Sequence, residues 1–219
     1  SLVNPSTTTT YYLTASSTAT GCSIADSVLV TVEMLPAAYV GLNQTICKGA
    51  TISIGASAVS GNIYSWTSSP AGFTTNLSNP SISPGTTTTY FLTETNFTTF
   101  CSKTNSVLVV VNPLPSANVG SAKTICNGES TIIGSNPVSG NTYNWASFPT
   151  GFVSTLANPT VSPNTDTKYY LTESVISTGC FKSDSLIVLV KPIPDAKFGP
   201  SKAICDGVNA FIGSAPVIG

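Results

Sequence analysis

The stretch YSWTSSPAGF at residues 64–73 returns as YNWASFPTGF at residues 143–152, with Tyr, Trp, Pro, Gly and Phe at the same offsets. Trp66 and Trp145 are therefore 79 residues apart. The six cysteines keep the same spacing, in two series: Cys22, Cys101 and Cys180, then Cys47, Cys126 and Cys205. Helical and propeller repeats are shorter than this, and their units cannot fold alone. The period predicts small independent domains in tandem.

The period also divides the chain. It predicts four segments: the last part of one repeat (1–36), two complete repeats (37–115 and 116–194), and the opening of another (195–219). The expectation is that this is a window within a longer array. Proline marks each join, in EMLPAA (33–38), NPLPSA (112–117) and KPIPDA (191–196). Because proline restricts its own backbone and that of the preceding residue, we expect short, stiff, extended connections and a rod.

The pattern within a repeat is typical of an all-β domain of about seven short strands, with no helix signal. In the first complete repeat the predicted strands are A (38–41), A′ (43–47), B (50–56), C (62–67), D (74–77), E (81–83), F (90–95) and G (106–111). Trp66 lies on C, and Tyr90 opens F after a turn. Both placements resemble an immunoglobulin-like β-sandwich, with a buried Trp on C and a tyrosine corner on F.

The composition argues against several function classes. The chain has no His, and all eight of its basic residues are Lys, against nine acids, which gives a net charge of -1. Histidine-dependent catalytic triads and metal–histidine sites are therefore excluded, and no basic face is available for nucleic acid. No pair of acids recurs together through the repeats, and the longest apolar runs are too short to cross a bilayer. We expect no enzyme, no metal, no cofactor and no membrane span.

A combination of motifs points to a family. It runs from IC-x-G (46–49) and Y-x-W-x-x-x-P-x-G-F (64–73) through NP-x-x-S-P-x-T-x-T-x-Y-x-LT (79–93) to C-x-x-x-N-S (101–106) and LP. This combination resembles the tandem Ig-like or PKD-like repeats of giant Bacteroidota cell-surface and secreted adhesins. The resemblance covers the whole chain. It implies a secreted protein of the type IX route that acts in adhesion, gliding or surface filaments.

The six cysteines, which have no imidazole partner and no CxxC pair, indicate disulfides in an oxidising, extracellular setting. One alternative is a bond within each repeat, Cys47 with Cys101 and Cys126 with Cys180. However, Cys47 precedes strand B at one end of the sandwich, and Cys101 lies in the F–G connection at the other end. The favoured alternative is an interdomain bond between Cys47 and Cys180. Cys126 and Cys101 would then pair with further repeats, and free or intermolecular thiols stay open.

The alternation of strands F and G predicts an apolar outer face. If Tyr90 and Leu92 point inward, Phe91 points outward, and the same parity on G turns Leu108 outward. The predicted contact stripe comprises Tyr12, Leu29, Phe91, Leu108, Tyr170 and Ile187. It fits self-association or filament packing, or contact with other surface proteins or glycans, while local cover by loops is the alternative.

Two further expectations complete the sequence-based interpretation. Ser27 and Ser185 follow Asp in Asp-Ser-hydrophobic triplets that resemble Bacteroidota O-glycosylation sites, although a polar turn before strand G explains them equally well. The favoured function is a non-enzymatic structural and adhesive rod or filament at a bacterial surface. The alternative is a carbohydrate-binding or spacer module of a larger secreted enzyme.

Overall fold

The structure is a computed structural model that describes residues 1–196 and 198–213. The chain forms two compact units, Ser1–Pro113 (the first unit) and Leu114–Gly219 (the second unit). Strands alone make up the regular secondary structure of the described residues. The division into 1–36, 37–115, 116–194 and 195–219 stays a prediction, and residues 197 and 214–219 of its last part lie outside the described residues.

The first unit opens with a hairpin and continues with a two-sheet sandwich. Its strands are β1 (Thr9–Ser16), β2 (Ser23–Val30), β3 (Gln44–Cys47), β4 (Ile52–Ser53), β5 (Asn62–Ser69), β6 (Ser81–Ile82), β7 (Thr88–Asn96) and β8 (Ser102–Asn112). The larger sheet has the order β3-β8-β7-β5, with β3 parallel to β8 and the other pairs antiparallel. The smaller sheet pairs β4 with β6, and the hairpin pairs β1 with β2.

The second unit repeats the two-sheet sandwich. Its strands are β9 (Lys123–Cys126), β10 (Thr131–Ile132), β11 (Asn141–Phe148), β12 (Val153–Ser154), β13 (Thr160–Val161), β14 (Thr167–Val175) and β15 (Phe181–Lys191). The larger sheet has the order β12-β11-β14-β15-β9, and the smaller one pairs β10 with β13. The all-β tandem sandwich predicted from the period is therefore confirmed.

Each sandwich encloses one core around its tryptophan. Trp66 and Trp145 are 1% and 0% exposed, and the indole Nε1–H of each donates to a main-chain oxygen, of Leu77 and Leu156 respectively, at 2.9 Å. Tyr90 packs edge-on against Phe73 with ring centroids 5.2 Å apart. The cores thus bury large aromatic rings and still satisfy the indole donor.

A glycine makes room for each tryptophan. Gly134 has φ +85°, and a Cβ at that position would lie 2.1 Å from the Ala157 carbonyl oxygen and 3.0 Å from Cζ2 of Trp145. Gly55 stands in the same relation to Ser78 and Trp66. The recurrence of glycine at this offset therefore has a steric cause, since any side chain would collide with the neighbouring backbone.

Two strand predictions, A and D, are wrong, and a third, B, is too long. Residues 38–41 form no strand, because Ala38 (φ 49°) and Gly41 (φ 88°) turn the backbone out of the extended region. Strand B is confined to Ile52–Ser53, since Gly55 leaves the extended region at its end. The segment predicted as D (74–77) forms no strand and makes a single bridge to strand C, in which the Trp66 N–H donates to Thr75 O at 2.9 Å.

The β1–β2 hairpin corresponds in sequence to strands F and G. Leu13 and Val28 are 70% and 59% exposed, whereas their equivalents Leu92 and Val107 are each 1% exposed in the sandwich. Two strands alone therefore do not bury the face that a complete repeat encloses.

Candidate functional site

The two cysteines of a repeat lie at opposite ends of the larger sheet. Cys47 ends β3, and β3 runs parallel to the last residues of β8, so that Cys47 is opposite Asn112. Cys101 immediately precedes Ser102, the first residue of β8. Eleven residues of strand at about 3.3 Å each separate these two levels by roughly 35 Å. A disulfide requires Cα atoms within about 7 Å, so this pair cannot bond within the repeat.

The bonding states of the cysteines agree with this separation. Cys47 and Cys180 are each disulfide-bonded. Free thiols are carried by Cys22, Cys101, Cys126 and Cys205. The within-repeat pairs, Cys47 with Cys101 and Cys126 with Cys180, are consequently not formed. Cys180 is fully buried and Cys101 partly buried, whereas Cys22, Cys126 and Cys205 are exposed.

A buried glutamate holds the segment that enters each sandwich. In the first unit, Glu94 on β7 is 3% exposed, and its Oε2 accepts the N–H of Ala38 at 2.6 Å. Its Oε1 accepts Nδ2–H of Asn62, the first residue of β5, at 2.7 Å. Both carboxylate oxygens therefore have donors, as a buried charge requires. The entering backbone, the start of strand C and the end of strand F meet at this one side chain.

The second unit repeats the contact. Glu173 is 2% exposed and accepts the Ala117 N–H at 2.6 Å and Asn141 Nδ2–H at 2.7 Å. The sequence-based interpretation missed these two glutamates. A signal was present, because Glu94 follows the inward parity of Tyr90 and Leu92, and a charge at an inward position that recurs after 79 residues is uncommon. The β1–β2 hairpin carries Ala15 at this offset.

The members of the predicted contact stripe lie on the outer faces of their strands. Phe91, Tyr170 and Ile187 are 36%, 43% and 40% exposed, Tyr12 and Leu29 are more exposed, and Leu108 is partly buried. The inward parity of Tyr90 and Leu92 is confirmed, since both are buried. Lys168 Nζ lies 5.2 Å from the centroid of the Tyr170 ring. Each complete repeat thus presents aromatic and aliphatic side chains on this face, and a contact role for them stays a prediction.

The two Asp-Ser triplets lie within strands. Asp26 and Ser27 are on β2, and Asp184 and Ser185 are on β15. In each case the serine N–H donates to Oδ1 of the preceding aspartate at 2.7 Å. The interpretation as a turn before strand G is therefore wrong, because strand G begins several residues earlier than predicted. Ser27 is exposed and Ser185 partly buried, and O-glycosylation stays a prediction.

No group of three or more His, Cys, Asp or Glu side chains within residues 1–196 and 198–213 is placed to hold a metal ion. Over the same residues, no helix has the length and apolarity needed to cross a membrane. Burial raises the pKa of Tyr90 and of Tyr169 above the usual 10.0, so that these core phenols stay protonated.

Fold and sites together define a class, that of immunoglobulin-like β-sandwich modules in tandem. The family described as an Ig-like domain, CHU_C associated, matches residues 115–194, which overlap the predicted repeat 116–194. No curated protein matches the chain.

Several solved structures are similar over most of the chain. The I67–I69 fragment of titin is 13% identical, with 70% of this chain and 64% of that chain covered and a TM-score of 0.34. Fibronectin(III)-like modules of Clostridium thermocellum CbhA are 11% identical, with coverage of 68% and 90% and a TM-score of 0.30. A Dscam structure is 11% identical, with coverage of 81% and 58% and a TM-score of 0.28. At such identities the similarity concerns the fold alone.

Proposed function

We propose that the chain is a non-enzymatic structural and adhesive segment of an extracellular repeat protein, built as a rod or surface filament at a bacterial surface. The observation that carries this proposal is the state of the cysteines. Cys47 is disulfide-bonded, yet Cys101, the other cysteine of its repeat, lies roughly 35 Å along the sheet and is free. The disulfide partner of Cys47 must therefore lie outside its own repeat. A repeat whose bonded cysteine lies at one end in this way is suited to end-to-end linkage.

The proposed partner of Cys47 is Cys180, at the F–G end of the following repeat. Such a bond would restrain the joint between the two repeats. It would also close a loop of more than 100 residues, which contributes about 4–5 kcal/mol in the chain-entropy account. Disulfides persist in oxidising compartments, which supports an extracellular location.

Peptide mapping without reduction tests the pairing, and scattering tests the rod. We expect a cross-linked peptide that contains Cys47 and Cys180. Small-angle X-ray scattering of the full chain should give an elongated particle, and Cys47→Ser should broaden its distance distribution. Cys101→Ser is the matched control, since it removes a free thiol, and should leave the distribution unchanged. A peptide that joins Cys47 to Cys101, or a compact particle, would contradict the proposal.

The outer face of the larger sheet is the proposed surface for lateral self-association. Tyr170 and Ile187 project from neighbouring strands, β14 and β15, and are both about two-fifths exposed. Contiguous exposed apolar patches, unlike scattered single residues, mark contact surfaces in soluble proteins. Sedimentation equilibrium of the double variant Tyr170→Ser and Ile187→Ser should show weaker association than the parent chain.

The control for this experiment is Ile132→Ser. Ile132 is 60% exposed but belongs to the smaller sheet, on β10. The Ile132→Ser substitution therefore removes a comparable apolar side chain from a different face of the sandwich. Equal association of the parent chain and both variants would rule out the outer face of the larger sheet as the contact.

A further inference from the structure

The connection between the complete repeats is short once its anchored residues are set aside. Strand β8 ends at Asn112, and the N–H of Ala117 is hydrogen-bonded to Glu173. Residues 113–116 remain between them, and two of these four are proline. Proline restricts the backbone of the preceding residue as well as its own. The freedom of the joint therefore depends largely on whether residue 117 is held in place.

Glu173 holds Ala117 in a conformation that alanine rarely adopts. Ala117 has φ 51°, is fully buried, and donates its N–H to Oε2 of Glu173 at 2.6 Å. Few non-glycine residues occupy this left-handed region without a compensating contact. A hydrogen bond to a carboxylate is among the stronger ones that a backbone N–H can form. The carboxylate thus fixes the direction in which the chain enters the sandwich.

The first unit contains the same device, which makes an accidental contact improbable. Ala38 has φ 49°, is fully buried, and donates to Glu94 at the same distance. In both units the second carboxylate oxygen accepts an asparagine side chain at 2.7 Å, from Asn62 and Asn141. The glutamate is thereby held from two sides.

The anchor lies at the same end of the sandwich as the bonded cysteine. Glu173 is near the end of β14, and two residues further on the Val175 N–H donates to the main-chain oxygen of Cys180 at 2.9 Å. A noncovalent anchor on the entering backbone and a covalent site therefore belong to one end of the second unit.

We propose that Glu94 and Glu173 are positioning residues that set the stiffness of the joint at the start of each repeat. This inference rests on the proposed rod, because joint stiffness has a function only if consecutive repeats are held in a defined relation. The carboxylate acts through backbone geometry, and the disulfide adds a second restraint.

Rotational correlation times from ¹⁵N relaxation of the full chain test the inference. Joined units tumble together, whereas loosely linked units each tumble faster. Cys47→Ser provides the background, since it removes the disulfide and leaves the glutamate as the restraint under test. In that background Glu173→Ala should lower the correlation time of both units toward that of a single unit.

Two variants serve as controls. Glu173→Gln should retain coupled tumbling. The side-chain oxygen of Gln can still accept the Ala117 N–H, and its NH₂ group can donate to Oδ1 of Asn141 once the Asn141 amide rotates by 180°. Val161→Ala weakens the core of the same unit and should also retain coupled tumbling. Coupled tumbling of the Glu173→Ala variant, or equal loosening by Val161→Ala, would overturn the role of Glu173.

The failure of the rod itself would look different. If the two units of the parent chain, with Cys47 intact, already tumbled independently, the proposed function would fail first. If the parent chain tumbled as one body but the Cys47→Ser chain did not, the proposed rod would stand. The proposal that Glu173 stiffens the joint would then be refuted.

Discussion

Substitution of Gly134 by alanine tests how the tryptophan core is built. The added Cβ would lie 2.1 Å from the carbonyl oxygen of Ala157, well inside the contact distance of any carbon and oxygen. That oxygen belongs to backbone and cannot swing away as a flexible side chain would. The Gly134 N–H also donates to Val119 O at 2.9 Å, and the displacement needed to relieve the clash would strain this bond.

The expected loss of stability has three parts. A left-handed backbone costs alanine about 1–2 kcal/mol relative to glycine. Overpacking of a filled core adds about 1–3 kcal/mol, and a weakened backbone hydrogen bond adds about 1 kcal/mol. Gly134→Ala should therefore destabilise the second unit by about 3–6 kcal/mol. Gly140→Ala is the matched control, since Gly140 has φ +84° but open space around its Cβ direction, and should cost about 1–2 kcal/mol.

Urea unfolding of the full chain, followed by tryptophan fluorescence, separates the two units because each core contains one of the two tryptophans. In Gly134→Ala the Trp145 transition should move to lower urea while the Trp66 transition stays in place. Gly55→Ala should move the Trp66 transition instead, with Gly61→Ala as its control. If Gly134→Ala and Gly140→Ala differed by less than about 0.5 kcal/mol, the steric explanation for this glycine would be refuted.

Two further predictions concern the aromatic core. Trp145→Phe removes the Nε1–H donor to Leu156 O and leaves a cavity, so circular dichroism in urea should show the second unit destabilised by about 2–4 kcal/mol. Burial raises the folded-state pKa of Tyr169 above the 10.0 of the unfolded chain, so the stability from its neutral form is complete below pH 10 and is lost as pH rises toward the folded-state pKa. Tyr169→Phe should therefore flatten the fall of the unfolding free energy above about pH 10, and a pH profile identical to that of the parent chain would contradict this.

The sandwich was predictable because its strongest signals are periodic. Trp66, Tyr90 and Leu92 return after 79 residues as Trp145, Tyr169 and Leu171, and all six are buried. Alternation along β7 was enough to predict that Phe91 faces outward, since side chains on a strand point to opposite faces in turn. The placement of Cys47 and Cys101 at opposite ends followed from strand order alone. These features depend on the 79-residue period and on the order of the strands, and both can be read from a single sequence.

What escaped prediction depends on backbone conformations and contacts between distant residues. Ala38 and Ala117 adopt positive φ, and alanine gives no local signal of such a turn. The segment 74–77 was predicted as a strand, but after the turn SPAGF it makes only a single bridge to strand C. Glu94 was taken as one of several scattered acids, since its donors are 56 and 32 residues away along the chain. Local sequence propensity does not predict contacts between residues so far apart along the chain.

The two ends of a repeat differ chemically, which is the property that the proposed rod needs. One end presents the IC-x-G turn, with Cys47 or Cys126 at the end of the parallel strand. The other gathers the entering backbone, the buried glutamate and the F–G connection with its cysteine. Unlike surfaces pair head to tail, and head-to-tail contacts that do not close into a ring continue as an open array. A tandem sequence supplies this head-to-tail order covalently, and in the proposed rod the disulfide and the buried glutamate would restrain the joint between the two complete repeats.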